Sequence, residues 1–169
     1  DIPVFLFTGF LDGGKTTFIQ SLLMDKEFNK GQTILVLQCE EGEEELDLSK
    51  LPGNTRVFIE SIDEEDALNE ELLFGAKEIQ AQKRSLADVV VVEYNGMWML
   101  DSLFEALPEN WAIAGETLFL DSTTFLSYNT NMRQLVFNKL RTAELVLFNR
   151  VTEQTDKMAL HKIVRAVSR

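Results

Sequence analysis

The feature that most constrains the fold is a glycine-rich stretch near the start of the chain, GFLDGGKT at residues 9–16. It has the spacing G-x-x-x-x-G-K-[ST] of a phosphate-binding loop. The apolar run before it, residues 2–7, predicts a buried strand, and apolar residues at helical spacing after it predict a helix. Strand, glycine-rich turn and helix together predict that this stretch binds phosphate.

Each residue type in the loop has a chemical reason. Glycines let the backbone curl so that successive N–H groups point at phosphate oxygens, and the N-terminus of the next helix adds partial positive charge. The Lys15 ammonium is expected at the β- and γ-phosphates, and the Thr16 hydroxyl is placed to bind Mg²⁺. The predicted nucleotide-binding residues of this stretch are Gly9, Asp12, Gly13, Gly14, Lys15, Thr16 and Thr17.

Composition restricts the partners of the chain. A net charge of −12 on 169 residues argues against a nucleic acid or a membrane as a partner, whereas the loop still provides a local field for a nucleotide. One cysteine and the lack of a long apolar run favour a cytoplasmic protein. We expect one domain over residues 1–169. Because the chain begins at Asp1 and ends inside a helical pattern, we also expect a fragment that lacks a C-terminal domain.

Apolar segments of two kinds alternate along the chain. Strands are predicted at residues 2–7, 33–37, 56–59, 88–93, 116–121 and 143–148. Helices are predicted after the loop, from a capping box at Ser61 onward with Leu68, Leu72, Ala76 and Ile79 on one face, and at 97–107, 131–140 and 155–167. The alternation predicts an α/β, three-layer P-loop NTPase fold with a mostly parallel sheet flanked by helices. Its ligand should bind beyond the carboxyl ends of the strands.

Acidic residues follow two of these strands. Residues 40–47 hold six carboxylates, which form either a solvated acidic loop or a switch loop near the γ-phosphate. In the second interpretation Asp47, or Glu40 or Glu43, positions the attacking water, and Glu40 and Glu43 are secondary candidates for Mg²⁺. Glu93 closes the Val-rich strand, where an acid can hold a Mg²⁺-bound water or polarise the attacking one. Gly96 lets a backbone N–H approach the γ-phosphate.

A possible base-reading motif follows the last strand. Many GTPases carry Asn-Lys-x-Asp there, and this chain has Asn149-Arg150-Val151-Thr152. Asn149 fits, and Arg150 is able to stack on a purine. Thr152 lacks the carboxylate that accepts hydrogen bonds from guanine, so the choice between GTP and ATP stays open.

Taken together, these motifs resemble the CobW branch of the CobW/HypB/UreG metal-insertion GTPases over nearly the whole chain. The resemblance rests on residues 9–17, on Glu40 to Glu43 with Asp47, on Glu93-x-x-Gly96, and on Asp121 with Phe125. It implies GTP hydrolysis with Mg²⁺, coupled to metal delivery or to maturation of a metalloprotein or cobalamin system. The implied partners are a metalloprotein client or a second copy of the chain.

The chain departs from that family in three places. Asp12 puts a carboxylate into the phosphate loop, Thr152 replaces the guanine-reading acid, and residues 60–66 hold carboxylates where the family carries Cys-x-Cys-Cys. Handling of a soft metal by thiolates is therefore not supported. The alternative function is a nucleotide-binding regulatory or scaffold module that does not hydrolyse.

Overall fold

The computed structural model of the chain describes residues 1–10, 14–40, 44–69 and 87–167. Its strands are β1 (Ile2–Gly9), β2 (Thr33–Gln38), β3 (Arg56–Ser61), β4 (Val89–Glu93), β5 (Trp111–Asp121) and β6 (Leu145–Asn149). Its helices are α1 (Lys15–Met24), α2 (Lys26–Asn29), α3 (Leu100–Ala106), α4 (Phe125–Asn131), α5 (Arg133–Thr142) and α6 (Lys157–Val167). Short 3₁₀ helices cover Leu48–Lys50 and Glu65–Ala67.

The strands of the described residues form one parallel sheet in the order β3-β2-β4-β1-β5-β6. Alternate residues of each strand point to opposite sides of the sheet. At the centre of the sheet both sides are buried under helices. In β4, Val90 and Val92 belong to one apolar cluster with α3, and Val89 and Val91 belong to another with α1. The predicted α/β fold with helices on both faces of a parallel sheet is confirmed.

Two elements differ from the sequence prediction along the β5 side of the sheet. Strand β5 begins at Trp111 rather than at Glu116, because its first residues pair with the start of β1 before the register shifts between Val4 and Phe5. Helix α4 was not predicted, since its sequence is rich in Ser, Thr and Asn. It is held by tertiary packing: Phe125 is buried against Phe148, with ring centroids 5.6 Å apart.

The capping box predicted at Ser61 is wrong. Ser61 is the last residue of β3 and pairs with Gln38 of β2. It therefore lies in a strand and does not cap a helix. The predicted helix positions Leu72, Ala76 and Ile79 lie outside the described residues. None of the helices in the described ranges combines the length and the apolar character needed to span a membrane.

Candidate functional site

The phosphate-binding loop joins the central strand to the first helix, as predicted. Gly9 is the last residue of β1, and α1 begins at Lys15 after Gly14 in a left-handed conformation (φ 90°). The first turn of α1 contains no acidic side chain. Its backbone N–H groups and positive dipole end are therefore suited to an anion. Asp12 and Gly13 lie outside the described residues.

Glycines bring the ends of three strands into contact at this point. A Cβ built on Gly9 (φ 141°) would lie 2.1 Å from the carbonyl oxygen of Phe119 in β5. A Cβ built on Gly96, beyond the end of β4, would lie 2.3 Å from the carbonyl oxygen of Gly9 and 2.7 Å from Cα of Phe10. Both contacts are with backbone, which has little freedom to move away. These positions therefore require glycine for close approach of the backbones.

Lys15 lies where these strand ends meet, and its side chain is buried. Its ammonium donates to the Gly9 carbonyl (2.6 Å), to Oε2 of Glu40 (2.7 Å) and to the Tyr94 carbonyl (3.3 Å). The same Glu40 oxygen accepts a hydrogen bond from the backbone N–H of Gly96 (3.2 Å). The structure thus gathers Lys15, Glu40 and Gly96, three predicted site residues from separate parts of the chain.

Thr16 and Glu93 meet beside the lysine. The Thr16 hydroxyl donates to Oε1 of Glu93 (2.5 Å), and the amide of Gln38 donates to Oε2 of the same carboxylate (3.3 Å). A hydroxyl and a carboxylate are hard oxygen ligands of the kind that Mg²⁺ prefers, usually together with phosphate oxygens. The donor set present therefore fits Mg²⁺ bound with a nucleotide. Gln38 was not predicted as a site residue; its pairing with Glu93 follows from the register of β2 against β4.

Asn149 lies on the other side of the phosphate loop. A Cβ on Gly14 would come within 3.2 Å of its amide nitrogen, and its own Oδ1 accepts from the N–H of Arg150. Beside it is a cavity of about 450 Å³, with Thr17 and Phe18 of α1 on one side and Phe119 of β5 on the other. The described residues that line this cavity include no acid.

Arg150 follows Asn149 and forms a salt bridge at the end of β5. It has a left-handed backbone (φ 56°), and its guanidinium contacts the buried carboxylate of Asp121 at 3.1 Å. The carbonyl of Arg150 accepts the Ser122 hydroxyl (2.7 Å). Asp156 accepts a hydrogen bond from the N–H of Ala159 (3.0 Å) and so caps the start of α6.

Asp47 is anchored to α1 through its backbone. Gln20 accepts the Asp47 backbone N–H (2.7 Å) and donates to its carbonyl (3.1 Å). The carboxylate accepts from the backbone N–H and the hydroxyl of Ser49, and these hydrogen bonds lower the pKa of Asp47. The side chain is exposed, and nothing in these contacts tests the predicted role in positioning water.

Acidic side chains also line a second cavity, between the segment that follows β2 and the end of β3. Its volume is about 580 Å³, and Glu40, Glu44 and Asp63 are among its lining residues. Glu44 accepts a hydrogen bond from the hydroxyl of Thr17, a predicted phosphate-loop residue. No group of three His, Cys, Asp or Glu suited to a metal ion occurs among the described residues. Glu43 lies outside those residues.

A buried lysine that the sequence prediction missed supports the segment after β4. Lys139 of α5 donates to the Trp98 carbonyl (2.8 Å), and its ammonium lies 5.2 Å from the centre of the Tyr94 ring. Burial lowers the pKa of Lys139 to about 7, and the nearby charge of Lys15 acts in the same direction. The sequence did contain a signal for this burial: Lys139 lies three residues after Val136, on the apolar face of a predicted helix.

The buried Lys139 should make stability depend on pH. Its pKa is lower in the folded chain than the ordinary value of 10.5, so the unfolded chain holds the extra proton between about pH 7 and 10.5. Stability from this group is therefore present at high pH and lost as the pH falls toward 7. From pH 7 to 9, the free energy of unfolding should rise by about 1–3 kcal/mol more in the parent than in Lys139→Met.

Urea unfolding at several pH values measures this effect. Lys162→Met is the matched control, because Lys162 is exposed on α6 and loses the same charge. The control should follow the parent curve across this range. A Lys139→Met curve parallel to that of the parent would show that the Lys139 ammonium stays charged in the folded chain.

The fold and this site define a P-loop nucleotide-binding domain, with the glycine-rich loop after a central parallel strand, the buried Lys15 at the start of α1, and Thr16 in contact with Glu93. The model of the CobW/HypB/UreG nucleotide-binding domain matches residues 3–169, and the chain belongs to that family. Comparisons with curated proteins and with solved structures gave no match. The family is of the P-loop GTPase type, so nucleotide binding is the shared activity.

Proposed function

We propose that this domain binds and hydrolyses a nucleoside triphosphate, GTP in the first place, with Mg²⁺, and works as a conformational switch. The observation that supports this best is the contact between Thr16 and Glu93 directly beside the buried Lys15. Lys15 would bind the β- and γ-phosphates with the backbone N–H groups at the start of α1. Thr16 and Glu93 would hold Mg²⁺, which neutralises charge on the phosphate oxygens when it is bound.

The remaining site residues have distinct proposed roles. Glu93, fixed by Gln38, would polarise the attacking water or hold a water on the metal. Gly96 would present its N–H to the γ-phosphate, which links nucleotide state to the segment of Met97 and Trp98. Met97 is well exposed, so this segment is a candidate surface for a metalloprotein client or a second copy of the chain. Metal delivery or metalloprotein maturation is the role that family membership favours.

A second candidate is a binding module that does not hydrolyse. Its support is that the Asp47 carboxylate is exposed and accepts hydrogen bonds from Ser49. Phosphate release under single-turnover conditions, with enzyme in excess over GTP and Mg²⁺ present, separates the two. Release that is faster than in buffer and is lost in Glu93→Gln supports hydrolysis, with exposed Glu109→Gln as the control. Tight binding without release selects the module.

The lining of the cavity beside Asn149 predicts weak discrimination between purine bases. Because the described lining residues include no acid, they offer the ring donors of guanine no charged acceptor, so GTP and ATP affinities should agree within about tenfold. Thr152→Asp should raise the preference for GTP by more than about tenfold, whereas Thr152→Asn should not. Parallel calorimetric titrations with Mg²⁺ measure both ratios. A strong guanine preference in the parent chain would mean that another residue reads the base.

A further inference from the structure

We infer that Glu40 sets the preference of this site between nucleoside diphosphates and triphosphates, because its carboxylate holds the position that a γ-phosphate must take. The inference rests on the proposed function, since it assumes that the loop binds nucleotide. It differs from the predicted roles of Glu40 as a metal ligand or as a residue that positions water. If Glu40 were a metal ligand, removing its charge would weaken triphosphate binding, and if it only positioned water, removing its charge would slow hydrolysis and leave binding unchanged. In the role inferred here, removing its charge strengthens triphosphate binding.

The contacts of one oxygen atom carry the inference. Oε2 of Glu40 accepts from the ammonium of Lys15 at 2.7 Å and from the backbone N–H of Gly96 at 3.2 Å. Both are donors that the proposed function assigns to a γ-phosphate oxygen. The side chains of Lys15 and Glu40 are only 5% and 7% exposed, so the pair is shielded from solvent. A carboxylate oxygen therefore makes the contacts expected of a phosphate oxygen.

Among the three acceptors around Lys15, Glu40 is the one suited to displacement. Gly9 ends β1 and pairs with Phe119 of β5, so its backbone is fixed by the sheet. Tyr94 follows β4 directly, and its N–H donates to the Phe7 carbonyl (2.9 Å). Glu40 lies two residues beyond the end of β2, and rotation of its side chain alone is enough to withdraw the carboxylate.

Because both are negatively charged, a γ-phosphate and the Glu40 carboxylate exclude one another from this position. A γ-phosphate and a carboxylate cannot share the same two donors, and two anions in a shielded site repel strongly. A diphosphate reaches Lys15 through its β-phosphate and leaves the Gly96 contact of Glu40 in place. A triphosphate must expel Glu40, so part of its binding free energy is spent on breaking the Lys15–Glu40 pair. Glu40 consequently lowers the triphosphate affinity more than the diphosphate affinity.

Calorimetric titration of GDP and of the slowly hydrolysed analogue GTPγS, both with Mg²⁺, tests this in the intact chain. Glu40→Gln keeps the shape of the side chain and removes its charge, and Glu40→Ala removes the side chain. Both should raise the ratio of GTPγS to GDP affinity by at least about tenfold, since a charge-assisted hydrogen bond no longer has to be broken. Glu45→Gln is the matched control: it removes an exposed charge from the same loop and should leave the ratio unchanged.

The possible outcomes separate this inference from the proposed function. An unchanged ratio in folded Glu40→Gln and Glu40→Ala, with GDP still bound, overturns the inference and leaves nucleotide binding intact. Weaker GTPγS binding in both variants also overturns it and favours Glu40 as a metal ligand. If neither the parent nor any variant binds either nucleotide, the proposed function fails and the inference with it.

Discussion

Lys15→Ala is expected to weaken triphosphate binding by about 100-fold, because the variant loses the buried ammonium that we propose binds the β- and γ-phosphates. The variant should also be less stable. Within the described part of the chain, removal of Lys15 leaves the shielded carboxylate of Glu40 with only the Gly96 N–H as a partner. An uncompensated buried charge typically lowers the free energy of unfolding by about 3–5 kcal/mol. Both losses should appear in the same protein, one by calorimetric titration and the other by urea unfolding.

A double variant separates these two effects. In Lys15→Ala/Glu40→Gln the orphaned charge is gone, so most of the lost stability should return, whereas triphosphate binding should stay weak. Lys26→Ala is the control for loss of a positive charge, since Lys26 is exposed on α2 next to the end of α1. Parent-like GTP affinity in the single or the double variant would contradict the phosphate-binding role of Lys15.

The parts of the fold that the sequence predicted are those set by local pattern. The Val-rich run of β4 has no helical period and is too β-branched for a helix, so its burial on both faces followed from composition. The glycine-rich loop was predictable because Lys15 and Thr16 must follow a strand and open a helix for their chemistry. The alternation of strands with helices then predicted that the site lies at the carboxyl ends of the strands.

The contacts that depend on strand order were not predictable. The contact between Gln38 and Glu93 requires β2 beside β4, and the sequence patterns do not specify neighbours within the sheet. The same holds for Glu40, whose approach to Lys15 depends on three strand ends meeting. Helix α4 was missed because packing of Phe125 outweighs the low helix propensity of its neighbours. Long-range packing, rather than local preference, decided each of these features.

Gly96 is one such long-range contact, and Gly96→Ala is expected to lower the free energy of unfolding by at least about 3 kcal/mol. A methyl group there would lie 2.3 Å from the Gly9 carbonyl oxygen and 2.7 Å from Cα of Phe10. These atoms belong to the end of β1 and the start of the phosphate loop, so rotating a side chain cannot relieve the clash. Either the segment after β4 or the loop must shift.

That shift should also reduce nucleotide binding, because either movement separates the Gly96 N–H from Lys15. Gly53→Ala is the matched control: nothing lies within 4 Å of a Cβ at Gly53, so its unfolding curve and affinities should match those of the parent. Urea unfolding and GTPγS titration of both variants measure the two effects. A stable Gly96→Ala variant with parent-like affinity would mean that the segment after β4 withdraws at no cost. Gly96 would then not connect the phosphate loop to the exposed surface around Met97.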